Sequence, residues 1–198
     1  MDKVHWDKYY TKNSNPFGPS DFALSTIKNL KKNSTLIDIG CGNGRDSLFF
    51  SKRRIKTVGI DQSEIAIKNL KSFENKYLNF ETLNIFDLKN KNFDYGYCRF
   101  LFHSINEEEE NFLLSWLKKN INDKIFIESR IIEKEKNIKQ GDHYRRLMDL
   151  ERFKSKLENL NINVLSEETS SKFSVYKNSY NVSDIQSTPL LTRLTLEV

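Results

Sequence analysis

Three of the seven glycines in the chain lie within five positions, at Gly40, Gly42 and Gly44. They follow the apolar run "LIDI" and precede "RDSLFF". Glycine permits a left-handed backbone and allows main-chain N–H groups to come close to a ligand. The stretch "IDIGCGNGRDS" therefore predicts either a tight turn alone or a backbone cradle for a ligand.

A second apolar run, "KTVGID", ends in Asp61. In a doubly wound parallel sheet, ligands bind beyond the carboxyl ends of the strands, where the strand order reverses. An acid at the end of the second strand is suited to the two hydroxyls of a ribose. The glycines and Asp61 together predict a nucleoside-containing cofactor. The alternative is a plain turn followed by Asp61 as a helix cap.

The spacing around the glycines distinguishes between such cofactors. A dinucleotide turn reads G-x-G-x-x-G, which requires a third glycine at the position of Arg45. Asp38, inside the end of the first strand, is unfavourable beside a pyrophosphate but attracts the ammonium group of an amino-acid tail. The spacing therefore favours S-adenosylmethionine over NAD, and it disfavours an oxidoreductase.

Strand-like and helix-like patterns alternate from residue 36 to 160, which predicts βαβ units. We predict an α/β fold: a doubly wound, Rossmann-like, mostly parallel seven-stranded sheet with an antiparallel last strand and helices on both faces. We expect one domain over 1–198, with a lid or helical segment at 1–35, a cofactor half at 36–105 and an acceptor half at 106–198. Predicted strands are 36–40, 56–61, 79–86, 93–102, 124–129, 162–168, 172–177 and 190–198, the last two as an antiparallel pair. Predicted helices are 21–30, 45–53, 62–73 capped by Ser63, 106–120 capped by Asn106, and 147–160.

Composition limits the other classes of protein. The chain has 198 residues, 37% hydrophobic, and a net charge of +5. It shows no secretory leader and no apolar run of about 20 residues, so we expect a cytoplasmic protein without a membrane partner. Cys41 and Cys98 form neither a disulfide framework nor a zinc motif, so no metal is expected. The basic excess permits a nucleic-acid partner, but the lysines are scattered among asparagines and isoleucines.

The ordered motifs resemble the class I S-adenosylmethionine-dependent methyltransferases over residues 36 to about 105. They read "IDIGCGNGRDSLFF", "VGIDQS", "LNIFDL" and "FDYGYCRFLFHSI". The resemblance implies S-adenosylmethionine as cofactor and S-adenosylhomocysteine as product. It implies that Asp38, Gly40, Gly42 and Gly44 line the methionine side, that Asp61 and Gln62 hold the ribose and the adenine edge, and that Asn84 and Ile85 flank the adenine. Trp6, Tyr9 and Tyr10 are either lid residues over the cofactor or aromatic packing.

A narrower set, "WDKYY", "PFGPSDFA", "CRFLFHSI" and "DHYRR", is similar to small bacterial methyltransferases of surface-polysaccharide and phosphonate or phosphoramidate biosynthesis. That similarity implies O-methylation of a small anionic or saccharide acceptor. The [DN]-P-P-[FYW] signature for amines of DNA bases is missing, as is the Pro-Cys pair of cytosine-C5 enzymes. We therefore expect a small-molecule acceptor and no DNA.

Candidate acceptor residues follow the fourth and fifth predicted strands. Arginine forks match planar oxyanions, and a histidine is needed as general base only where the acceptor is a protonated hydroxyl. The catalytic candidates are Arg99, His103 and His143, and the substrate-binding candidates are Arg130, Tyr144, Arg145 and Arg146. Each has a structural alternative, such as a buried, hydrogen-bonded histidine or a solvated arginine pair.

Two other functions are compatible with these residues. An RNA or protein methyltransferase would use the positive surface, and its affinity would depend on salt. A non-catalytic S-adenosylmethionine-binding module would bind the cofactor without turnover. The sequence leaves the oligomeric state open.

Overall fold

The computed structural model describes residues 3–16, 18–132, 146–174 and 190–198. Seven strands form one sheet in the order β3-β2-β1-β4-β5-β7-β6. The strands are β1 (Thr35–Ile39), β2 (Lys56–Asp61), β3 (Leu78–Thr82), β4 (Phe93–Arg99), β5 (Ile121–Arg130), β6 (Asn163–Ser170) and β7 (Leu191–Glu197). The helices are α1 (Lys3–Lys12), α2 (Asp21–Thr26), α3 (Arg45–Ser51), α4 (Glu64–Leu70), α5 (Glu107–Asn120) and α6 (Leu150–Asn159).

The sheet confirms the predicted doubly wound architecture. β1 pairs in parallel with β2 and β4, and β5 pairs in parallel with β4. Only β7 runs antiparallel to both of its neighbours, β5 and β6. The strand order reverses between β1 and β4, so ligands are expected beyond the carboxyl ends of these two strands.

Helices cover both faces of the sheet, because successive side chains of each strand point to opposite sides. On one face, aromatic side chains of β4 and β5 pack against α2 and α3, with Phe22, Phe50, Tyr95, Tyr97 and Phe126 in the centre. On the other face, aliphatic strand residues pack against α5 and α6, with Ile37, Ile127, Leu113, Leu117 and Phe153 in the centre. The two apolar layers hold the strand ends in fixed positions.

Local capping explains where the predicted helices begin. Ser63 caps α4, with its side chain accepting from the Ala66 N–H. Asn106 and Glu109 form a complete capping box at the start of α5, and four glutamates fill its first turn, where negative charge is favourable. The predicted helix over 147–160 begins later, at Leu150, because Asp149 is its N-cap.

Three strand predictions were wrong in part. Residues 172–174 of the predicted strand 172–177 belong to a 3-10 turn, and the rest of that segment lies outside the described residues. The described antiparallel partners of β7 are β5 and β6, and the pairing with β6 ends where Ser170 meets Leu191. The predicted strand 93–102 ends at Arg99. The predicted strand 79–86 ends at Thr82, and Ile85–Asp87 form a 3-10 turn.

The N-terminal segment packs on the cofactor half. α1 lies against α4, and Lys3 Nζ contacts Glu64 Oε1 at 2.7 Å. No residue of α1 is fully buried. Among the helices described, none combines the length and the apolar character needed to cross a membrane.

Candidate functional site

The glycine turn follows β1 and has a left-handed backbone at each of its three glycines. Gly40, Gly42 and Gly44 have φ values of +76°, +56° and +69°. A Cβ at Gly42 would collide with the Tyr10 hydroxyl, and a Cβ at Gly44 would press on Leu70 and Phe80. Glycine is therefore required here both by conformation and by space.

Asp61, at the end of β2, joins the glycine turn to α4. Its Oδ2 accepts from the Gly42 N–H at 3.0 Å, and its Oδ1 accepts from the Ser63 N–H at 2.9 Å. Burial raises the pKa of this carboxyl, and the two N–H donors oppose that rise. Each carboxylate oxygen keeps a further lone pair that can accept a ribose hydroxyl.

A cleft opens beside Asp61 at the carboxyl ends of β1 and β2. Gln62 lines it, and the Gln62 side-chain nitrogen is buried without a hydrogen-bond partner among the described residues. A buried amide that lacks a partner costs free energy unless a ligand supplies an acceptor. The other walls are apolar and suit a flat base: Ile39, Ile60, Leu83, Ile85 and Leu101.

The structure separates the two residues expected beside the adenine. Ile85 lines the cleft beside Asp61. Asn84 caps the 3-10 turn after β3, and its Oδ1 accepts from the Phe86 N–H at 3.0 Å. Asn84 thus fixes the turn that presents Ile85.

Tyr10 of α1 lies against the glycine turn. Its hydroxyl faces Gly42, and burial together with the charge of Asp61 raises the Tyr10 pKa well above its ordinary value. Ser63 Oγ donates to Asp7 Oδ1 at 2.5 Å, which holds α1 at the start of α4. Asp7 was not predicted, because a polar contact over more than fifty positions leaves no periodic signal in the sequence.

Asp38 lies beneath the glycine turn with its carboxyl fully enclosed. Ser47 Oγ donates to Asp38 Oδ2 at 2.5 Å. Burial raises the Asp38 pKa to about 8, and the nearby acids Asp46 and Asp61 add to the rise. A cationic group placed near this carboxyl would favour its ionised form.

Asp46, a buried acid that the sequence did not indicate, holds Ser20, the N-cap residue of α2. Asp46 accepts from the Ser20 N–H at 2.8 Å and from the Tyr97 hydroxyl at 2.9 Å. Arg45 occupies the position at which a dinucleotide-binding turn has its third glycine. Its guanidinium reaches the Gly18 carbonyl and ties the segment before α2 to the glycine turn.

A charged cluster lies at the carboxyl ends of β4 and β5, beside the start of the antiparallel strand β7. Glu128 is 1% exposed, and its two oxygens accept from Arg99 Nε at 2.8 Å and from Arg193 Nε at 2.7 Å. Arg193 was not predicted, and only the register that places it opposite Glu128 reveals it.

Phe100, the first residue after β4, occupies a left-handed backbone conformation with φ +58°. Such a conformation is strained for an aromatic residue and is found at functional sites. The Arg99 guanidinium lies 4.1 Å from the ring centre and that of Arg130 lies 5.9 Å away. Arg130 Nε is buried without a hydrogen-bond partner in the part of the chain that the structure describes.

His103 is buried close to the end of β5. Its Nδ1 accepts from the Arg130 main-chain N–H at 3.3 Å and lies 3.3 Å from Ser129 Oγ. In a neutral imidazole, the accepting nitrogen carries no proton, so Nε2 carries it. The available lone pair therefore points to the main chain, which favours a positioning role over that of a general base.

The predicted arginine cluster is described only in part. Arg146 contacts Glu110 with its guanidinium and donates its main-chain N–H to the His103 carbonyl at 2.9 Å. Glu110 is buried and also accepts from Lys156 Nζ at 2.6 Å. Arg146 thus has a structural partner that the sequence did not indicate. His143, Tyr144 and Arg145 lie outside the described residues.

Comparison with known proteins identifies the fold and the family. Residues 30–166 match the family model described as a methyltransferase domain. No curated protein matched the chain significantly.

Several solved structures share the fold. Phosphoethanolamine N-methyltransferase 2 of Haemonchus contortus, in complex with phosphomonomethylethanolamine and S-adenosylhomocysteine, is 15% identical over 100% of this chain and 57% of its own, with a TM-score of 0.71. The 1,6-didemethyltoxoflavin-N1-methyltransferase of Burkholderia thailandensis is 12% identical over 89% of this chain and 76% of its own, with a TM-score of 0.68. A methyltransferase of Methanosarcina mazei is 12% identical over 87% of this chain and 96% of its own, also with a TM-score of 0.68.

The residues of the cleft fit the cofactor that this family uses. The left-handed glycine turn leaves room above β1, Asp61 offers acceptors, and Gln62 offers a buried donor. The match of the family model spans more than half of the chain, from β1 to β6. The chain belongs to the methyltransferase-domain family and is an S-adenosylmethionine-dependent methyltransferase.

Proposed function

We propose that this enzyme methylates an oxygen atom of a small acceptor that carries an anionic group, such as a phosphate, phosphonate or phosphoramidate. The observation that supports this proposal is the charge balance at the carboxyl ends of β4 and β5 and the adjoining start of β7. Among the described residues there, one buried carboxylate, Glu128, accepts from the guanidinium groups of Arg99 and Arg193, and a third guanidinium, that of Arg130, shares the Phe100 ring with Arg99. The orphaned Arg130 Nε adds a buried donor that an oxyanion would satisfy.

In this proposal, residues at the ends of β1 and β2 bind the cofactor, and residues at the ends of β4 and β5 bind the acceptor. S-adenosylmethionine supplies an electrophilic methyl group whose sulfur departs as a neutral thioether. We assign Asp61 and Gln62 to the ribose and the adenine edge, and Asp38 to the amino-acid end. Tyr10 covers the glycine turn from α1 and limits the access of water. Positioning of this kind can contribute about 7–11 kcal/mol to catalysis.

On the acceptor side, Glu128 holds two guanidinium groups in place by one oxygen each. Phe100 supports Arg99 and Arg130 on its ring, so their planes are ordered before the acceptor arrives. An acceptor oxygen that is already anionic needs no general base, which agrees with the hydrogen bonding of His103 Nδ1. A structure with the same fold, the Haemonchus contortus enzyme, holds a phosphorylated amine.

The test measures the formation of S-adenosylhomocysteine with pairs of acceptors that differ only by a phosphoryl or phosphonyl group. We expect turnover with the anionic member of a pair. Arg130→Gln should raise its KM by roughly tenfold to a hundredfold, because a charge-assisted hydrogen bond contributes about 1.5–3 kcal/mol. Arg152→Gln is the matched control, since Arg152 pairs with Glu107 on the half-exposed surface of α6.

Calorimetric binding of S-adenosylhomocysteine tests the cofactor half separately. Equal rates on the charged and neutral members of each pair would refute the anionic acceptor while leaving the cofactor assignment intact. An Arg130→Gln enzyme that behaves like the Arg152→Gln control would refute the role of Arg130.

A further inference from the structure

A second cleft lies on the α2 side of the sheet, and it shares no lining residue with the cleft beside Asp61. It opens to solvent between α2 and the strands β5, β7 and β6. Phe22 and Phe126 form its apolar floor. Polar side chains form its walls: Ser25, Thr26, Asn29, Ser166, Glu168, Arg193 and Thr195.

Thr26 is the residue of this cleft that points to a ligand. It is 2% exposed, and its hydroxyl has no hydrogen-bond partner among the described residues. Its neighbour Ser25 donates to the Phe22 carbonyl at 2.8 Å, which is the usual way for a helical hydroxyl to be satisfied. A buried hydroxyl left without a partner is costly, so a molecule that bonds to it in the cleft gains the corresponding free energy.

The lining also indicates the chemical class of that molecule. The charged side chains of the walls are one carboxylate, Glu168, and one guanidinium, Arg193. Their charges balance, so the cleft favours a ligand without net charge. Arg193 is already engaged, because its Nε donates to Glu128 and its guanidinium stacks 3.9 Å from the Phe173 ring centre. Hydroxyl, amide and carboxylate groups such as those of the cleft walls bond to the many hydroxyls of a sugar.

We propose that this cleft binds a neutral saccharide unit. The Thr26 hydroxyl would bond to a ring hydroxyl, and the buried Phe22 and Phe126 would close the base of the cleft beneath the sugar. The occupant would touch Arg193, which is joined through Glu128 to Arg99 at the end of β4. Binding at this cleft does not depend on the proposed acceptor.

The experiment is saturation-transfer difference NMR of the full chain with glucose, galactose and N-acetylglucosamine. We expect signal transfer to at least one of these sugars. Ser166→Phe should abolish it, because Ser166 lies on an exposed strand face where a large ring fills the cleft without disturbing the core. Thr26→Val should weaken the affinity by roughly twofold to tenfold through the lost hydrogen bond.

Stability measurements separate binding from folding. Thr26→Val removes the orphaned hydroxyl, so the urea midpoint of the free protein should stay the same or rise while sugar binding weakens. The matched control is Thr169→Val on the other face of β6, where the Thr169 hydroxyl meets Thr192, and it should bind sugar like the parent chain. Absence of transfer to all three sugars, or full binding by Ser166→Phe, would overturn the proposal.

Discussion

Cofactor binding should release a proton from Asp38. The pKa of this buried carboxyl is about 8, against 3.8 for a free aspartate side chain. At about pH 7, one unit below that pKa, about ten carboxyl groups are protonated for each one that is ionised. An ammonium group bound nearby stabilises the carboxylate, so binding should expel close to one proton for each cofactor bound.

The assay is calorimetric titration of S-adenosylhomocysteine at about pH 7 in two buffers of different ionisation enthalpy, Tris and PIPES. Tris takes up the released proton with more heat, so binding should be more exothermic in Tris. Asp38→Asn keeps the size of the side chain and an acceptor for Ser47, and it should lose most of the difference between buffers. Binding that is equally exothermic in both buffers, or a difference that persists in Asp38→Asn, would refute the reasoning.

Two further predictions concern stability. Gly42→Ala places a Cβ in a left-handed backbone against the Tyr10 hydroxyl. It should therefore lower the free energy of unfolding, measured by urea unfolding, by about 1–3 kcal/mol, and it should weaken cofactor binding measured by calorimetry. Glu110→Gln leaves the partly buried Arg146 without its carboxylate and Lys156 with Glu107 alone, so it should lower the free energy of unfolding by about 2 kcal/mol. Glu108→Gln on the exposed side of the same helix should cost almost nothing, and equal urea midpoints for the two variants would contradict this.

The cofactor half was predictable because its signals are local. The glycine turn, Asp61 and the Ser63 cap each depend on residues a few positions apart, and the structure places them as expected. The predicted strand at 172–177 followed a valid alternation of residues. It failed over 172–174 because the pairing of β6 with β7 stops at Ser170, and no local sequence pattern indicates that end.

The acceptor half depends on contacts between distant segments. The sequence "EEEE" resembles a solvated first helical turn, yet Glu110 is buried under Arg146 and Lys156. Arg193 becomes part of a cluster only through its register opposite Glu128. Charge pairing across a sheet or between helices has no periodicity, so composition and spacing could not reveal it.

The position of β7 has a consequence for the order in which the molecule is assembled during translation. β7 follows β6 in the chain but lies between β5 and β6. A ribosome therefore synthesises β6 before β7, the strand with which β6 pairs among the described residues. Until β7 inserts between them, the chain presents the open edge of β5 and an unpaired β6, the state in which chaperones and wrong strand partners compete with the native insertion.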